Sequence, residues 1–244
     1  MTVPIIQVSK RAEQGQTRPF LCRGDDGHWY YVKGVGAGRR SQLSELIAGR
    51  LASAFGLPIA PYTVVDVPEG LIQPTLDAEL RELGAGLAFG SQSIPFCQEL
   101  SISHLGQLSG KERQDVLVFD WWIRNSDRSL TVNGGNPNLL WNVQEGSMVV
   151  IDHNVVFETA FDAEAFVNTH VFADELNIVF TDWAARAAYC DRLSVAFAAF
   201  DQACQDCPEE WWWHAEDVPA DFDRGAIRDM LQRFERDDFW NLPL

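Results

Sequence analysis

The spacing of apolar side chains divides the chain into a front third that alternates and a remainder that repeats every three to four residues. Residues 18–33, "RPFLCRGDDGHWYYVK", read as two short strands around Asp26-Gly27, a dipeptide suited to hairpin turns. The period of two then puts Trp29, Tyr31 and Lys33 on one face of the second strand. In "RRSQLSELIAGRLASAFGLPIAPY" the stripe Leu43, Leu46, Ile47, Leu51, Ala54 and Phe55 predicts a helix with Ser41 as N-cap, ended by Gly56 and Pro58. "YTVVDV" and "GLIQPTL" follow as further strands, the second weakened by Pro74.

Beyond about residue 105 the period becomes helical. Ser109 and Glu112 form a capping box, and Val116, Phe119, Trp122 and Ile123 follow at helical spacing. "SMVVID" is a short apolar strand, and residues 182–204 and 223–239 carry two amphipathic helices. The pattern therefore predicts an α+β chain, with a β-rich part over residues 1–95 and a mostly helical part over residues 96–244. The aromatic segment "EEWWWHAED" is expected to pack on the helical part.

Composition narrows the class. With 244 residues and 46% hydrophobic content the chain can fill one large core or two closely packed lobes. A net charge of −16 with scattered Lys and Arg disfavours a nucleic-acid partner. No stretch approaches 18 apolar residues, so neither a signal peptide nor a membrane span is read. Five cysteines, an odd number, suit a reducing, cytoplasmic setting. The C-x-x-C pair Cys204 and Cys207 could join Cys190 and His214 around zinc, but buried thiols are the simpler reading.

The candidate chemistry lies in two places. "VKGVGAGRR" has the glycines of a dinucleotide loop but not their spacing, and it reads better as a mobile connection. Lys33 at a strand end, with Glu45 twelve residues later inside a helix, is the pattern that aims a lysine at nucleotide phosphates, though an exposed Glu and an edge-strand Lys would share it. In "WWIRNSDRSLTVNGGNPNLLW", Asp127 stands beyond a helix end, with Asn136 and Asn138 before an apolar strand and Asp152 at the end of the next. A carboxylate to accept a hydroxyl proton, then hard oxygen ligands for magnesium, is the order phosphoryl transfer uses. Asp120, amid Phe119, Trp121 and Trp122, is expected either to orient this loop or to pair with an Arg or a Trp N–H. His153 is expected to support it through hydrogen bonding.

In these stretches, with "FGS", "NPNLLW" and "VVIDHNVVF" in the same order, the sequence resembles the compact HipA-like kinases, a bacterial branch of the protein-kinase-like fold. The resemblance implies a two-lobed enzyme using ATP and Mg2+. Lys33 would sit on the phosphates, Glu45 would be its helix partner and Asp127 the base. Asn136 or Asn138, with Asp152, would hold magnesium, and Asn136 stands first in "NPN" where the family's ligand stands. Gly15, Thr17 and Arg18 of "QGQTRP" would cover the phosphates in place of a G-x-G-x-x-G loop.

The acceptor implied is a Ser or Thr of a bacterial protein. Alternatives are a small-molecule or lipid hydroxyl, or a silent nucleotide-binding pseudokinase. Toxin-like activity with an antitoxin-like partner also belongs to the family's range. Two departures stand out. "LTVNGG" adds about four residues to the family's usual five between Asp and Asn, which leaves Asn133 open as a ligand too. No A-P-E follows Asp152.

Overall fold

The computed structural model describes residues 2–12, 18–73, 78–131 and 134–242. The chain is a mixed α+β protein that groups into two compact units. The first comprises residues 1–46, 60–95 and 205–222, and the second residues 47–59, 96–204 and 223–244. The chain passes from the first unit to the second at residues 95 and 96, while residues 47–59 group with the second unit and residues 205–222 with the first.

The first unit is built on a closed five-stranded barrel. Its strands are β1 (Val3–Arg11), β2 (Phe20–Gly24), β3 (Trp29–Lys33), β4 (Tyr62–Val67) and β5 (Gly86–Gln92), in the order β1-β2-β3-β5-β4. Parallel pairing of Val3 with Val65 and Pro4 with Asp66 closes it. Alternation fills the interior with Phe20 and Cys22, Tyr30 and Val32, and Val65 and Val67. Trp29 and Tyr31 lie on the other face of β3, as the period of two requires, and Tyr31 is exposed.

Helix α1 (Arg39–Phe55) begins two residues before the expected cap at Ser41, because Gly38, at φ 81°, makes the turn into it. The glycine-rich stretch before it is an ordered 3₁₀ turn over Val35–Ala37. A Cβ at Gly34 would lie 1.9 Å from the Leu83 carbonyl oxygen, so only glycine fits beside the short helix α2 (Leu80–Leu83). "GLIQPTL" is not a strand: Glu69–Leu71 form a 3₁₀ turn, and Pro74 and its neighbours to residue 77 lie outside the described residues. The aromatic segment also departs from expectation. Trp211 is fully buried in this unit, its indole N–H donating to the Leu87 carbonyl on β5 at 3.1 Å.

The second unit centres on α4 (Gly110–Ile123), preceded by β6 (Cys97–Glu99) and the short α3 (Ile102–Leu105). Its capping box forms as expected, Ser109 Oγ accepting from the Glu112 N–H at 3.2 Å. Every residue from Asp115 to Ile123 is buried, which makes α4 a core helix instead of a surface one. The two indoles at its end reach main-chain carbonyls: Trp121 donates to Phe239 and Trp122 to Leu231, at 3.0 and 2.7 Å.

After α4 come the hairpin β7 (Ser129–Thr131) and β8 (Gly134–Asn136), then β9 (Leu139–Asn142) and β10 (Ser147–Val150), which form a three-stranded sheet ordered β10-β9-β6. Helices α5 (Ala163–Thr169), α6 (Leu176–Thr181), α7 (Trp183–Ala198), α8 (Phe200–Gln205) and α9 (Arg224–Gln232) complete the chain. Among the described residues no helix is long and apolar enough to cross a membrane, and no three His, Cys, Asp or Glu side chains cluster as a metal cage. Among the described residues the cysteines form no disulfide, and burial pushes the Cys204 thiol up to about 11.

Candidate active site

Each unit carries one group of the residues singled out in the sequence. In the first, Lys33 ends β3 and is only 6% exposed, and its Nζ is ion-paired with Glu45 Oε1. Glu45 is buried as well. One helical turn earlier on α1, Gln42 donates its amide N–H to the Lys33 main-chain carbonyl at 3.0 Å. Side chains three apart lie on one helix face, so α1 grips the end of β3 at both its backbone and its side chain. The reading of Glu45 as an exposed residue is thereby excluded. Arg18 is described, and its guanidinium lies 3.6 Å from Glu79. Gly15 and Thr17 lie outside the described residues.

The second group begins where α4 stops. Arg124 takes the left-handed conformation at φ 54°, its N–H returning to the Asp120 carbonyl, and the chain turns out of the helix. Asn125 then does two things at once. Its Oδ1 accepts from the Asp127 main-chain N–H at 3.1 Å, and its Nδ2 donates to Asp120 Oδ1 at 2.8 Å. Such local bonding is the reason Asn suits turns.

Asp127, partly buried, receives two amides: Asn136 Nδ2 and Asn138 Nδ2 donate to its Oδ2 at 3.0 and 3.2 Å. Asn138 Nδ2 also donates to the Asp127 main-chain carbonyl at 3.1 Å. Burial and the nearby negative charge of Asp152 push the Asp127 carboxyl above its ordinary value, against the pull of the two amides and Arg128. Asp152 follows β10, and its Oδ1 accepts from the Asn154 N–H at 3.3 Å. Asn138 and Asp152 both hold positive φ, 48° and 58°, a conformation that Asn and Asp tolerate better than other non-glycine residues. The structure thus brings Asp127, Asn136 and Asn138 into direct contact, with Asp152 close enough to act on Asp127 electrostatically. Asn133 lies outside the described residues.

Beneath this group is a buried ionic network that the sequence only half announced. Asp120 is fully buried, and its Oδ2 accepts from Arg128 Nε at 2.5 Å and from His170 Nε2 at 3.1 Å. Burial alone would raise its carboxyl, but the charge of Arg128 and the bond from His170 hold it at about 2. Of the Arg or Trp N–H open to Asp120 as a partner, the structure gives Arg128. His170 comes from fifty residues further on, and no local pattern points to it. His153 is buried, edge-on to Phe119 with ring centres 6.0 Å apart.

A family model described as HipA-like kinase matches residues 5–243. The chain belongs to the HipA-like kinase family. Comparison with functionally curated proteins gives no match. Among solved structures, the Helicobacter pylori proinflammatory kinase CtkA is similar to this HipA-like kinase over 98% of its chain and 97% of the other, with a TM-score of 0.57. At 12% identity that likeness speaks for the fold alone. The family assignment supports a kinase.

Proposed function

We propose that this HipA-like kinase is a two-lobed enzyme that transfers the γ-phosphate of ATP, with magnesium, to a hydroxyl, the Ser or Thr of a bacterial protein being the acceptor. The observation that carries the reading is Asp127: a half-buried carboxylate fixed by two amides, with its proton affinity raised. A base must hold a proton well enough to take it from a hydroxyl and must be oriented before it does so. Asp127 would accept that proton as the acceptor oxygen bonds to the γ-phosphorus and the bond to the ADP oxygen breaks.

Lys33, aligned by Glu45, would hold phosphate oxygens, and the segment 15–18 would cover them. The donor set around Asp127 suits magnesium, a hard ion that keeps waters and substrate oxygens and needs only one or two protein carboxylates. Asp152 would supply the carboxylate. Asn138 would supply the amide oxygen, since its N–H groups are turned to Asp127 at both the main chain and the side chain. Asn136 makes one such bond, from the hairpin, so the geometry favours Asn138 over the Asn136 that the motif put first. Magnesium there would neutralise charge on the transferring phosphate. The added length between Asp127 and Asn136 is taken up in the β7–β8 pairing and leaves both amides on the carboxylate.

The test is magnesium-dependent transfer of labelled phosphate from ATP, with and without bacterial lysate. Labelled protein is the expected result. Tight nucleotide binding with no transfer to protein, lipid or small molecule would instead support the pseudokinase.

A further inference from the structure

Arg128 follows Asp127 in the chain, yet its side chain turns away into the interior and is completely buried. Its Nε holds Asp120 on α4, and its Nη1 donates to the carbonyls of Pro137 and Asn138 at 3.0 and 2.6 Å and reaches that of Ile151 at 3.4 Å. Its own carbonyl accepts from the Val171 N–H at 3.1 Å. The base thus precedes Arg128 in the chain, the asparagine lends it a carbonyl, and the aspartate follows the Ile151 carbonyl that it reaches. His170 completes the arrangement by sharing Asp120 Oδ2 with Arg128. The Phe172 N–H donates to His170 Nδ1 at 3.1 Å, which places the imidazole proton on Nε2, facing Asp120. Burial lowers the proton affinity of the ring, against the pull of Asp120.

We infer that Asp120, Arg128 and His170 act as a positioning triad for Asp127 and Asn138. The inference rests on the kinase reading above. A planar guanidinium can serve a carboxylate and several carbonyls together, whereas an ammonium on a flexible stem cannot hold the same fork, and a displacement of about 1 Å at a reacting group can cost on the order of a hundredfold in rate.

The experiment compares the parent with Asp127→Ala, Arg128→Lys, His170→Ala and His170→Gln, measuring transfer at saturating magnesium-ATP, nucleotide affinity and melting temperature. His170→Ala and Arg128→Lys are expected to lower kcat by about tenfold or more, with nucleotide Kd within about threefold of the parent. His170→Gln keeps an N–H towards Asp120 and should recover most of the rate lost in His170→Ala. A folded His170→Ala with kcat within about twofold of the parent overturns the triad, as does a Gln variant no better than Ala. Should His170→Ala not fold, parental kcat in Arg128→Lys has the same force. A parent no faster than Asp127→Ala overturns the kinase reading itself, and the triad with it.

Discussion

Replacing Asp120 by Asn removes the charge beneath Arg128 while keeping the side chain's shape. In the native state the carboxyl sits at about 2, against an ordinary 3.8, and that depression corresponds to roughly 2 kcal/mol of stability. Because the value is lowered on folding, this contribution is complete above the ordinary carboxylate range and is lost as pH falls through about 2, with about half gone by pH 3. The amide adds a second cost. Asn125 Oδ1 is committed to the Asp127 N–H, so Asn125 must present its NH2 towards residue 120. An Asn at 120 therefore points its own NH2 either at that donor or at Arg128 and His170. A buried donor without an acceptor costs about 1–3 kcal/mol. The total, about 3–5 kcal/mol, is what breaking a buried ion pair costs, and in a chain of this length it lowers Tm by about 10 °C. Urea unfolding at pH 7, followed on the transition of the unit that holds α4, measures the loss. Repeating it between pH 5 and pH 3 should narrow the gap between variant and parent. A loss below about 1 kcal/mol, or a gap that does not change with pH, would refute the assignment of Asp120 as the buried charge on which Arg128 depends.

Asp127→Ala should reduce phosphate transfer by on the order of a hundredfold or more while nucleotide affinity stays within about threefold, whereas Lys33→Ala should reduce both; labelled-ATP transfer with parallel calorimetry separates the two. Asp152→Asn should weaken magnesium-dependent ATP binding with the fold intact, and equal calorimetric affinity in variant and parent removes Asp152 from the metal. Asn138→Ala should lose more magnesium-dependent activity than Asn136→Ala, and the reverse order would return the ligand to the position that the motif suggested.

What the sequence made legible was local. The period of two placed Lys33 at a strand end, a helical stripe placed Glu45 on α1, and the capping box located the start of α4. The polar run after α4 announced a site because small amides and carboxylates between apolar flanks have few other uses. Barrel closure was not legible: Val3 and Pro4 pair with residues more than sixty positions away, and nothing in "VPIIQVSKR" names that partner. His170 was hidden for the same reason, being a lone histidine at the end of a short helix whose meaning comes only from Asp120. Trp211 was legible as a residue to be buried, but the surface that buries it, at Leu87, belongs to the β-rich unit instead of the helical one.

The β7–β8 hairpin separates distance along the chain from distance in space. Ser129 pairs with Asn136, Leu130 with Gly135 and Thr131 with Gly134, so the chain that leaves Asp127 is returned beside its own point of departure. Such a ladder lengthens by one rung at a time, and each rung takes one residue from each strand. Adding or removing one residue in each strand would preserve the face that Asn136 presents to Asp127, while a slip of the register by one would turn it over. Family members could therefore differ in loop length in steps of two and keep the same chemistry, and a search pattern written with a fixed gap between the aspartate and its asparagine would pass them by.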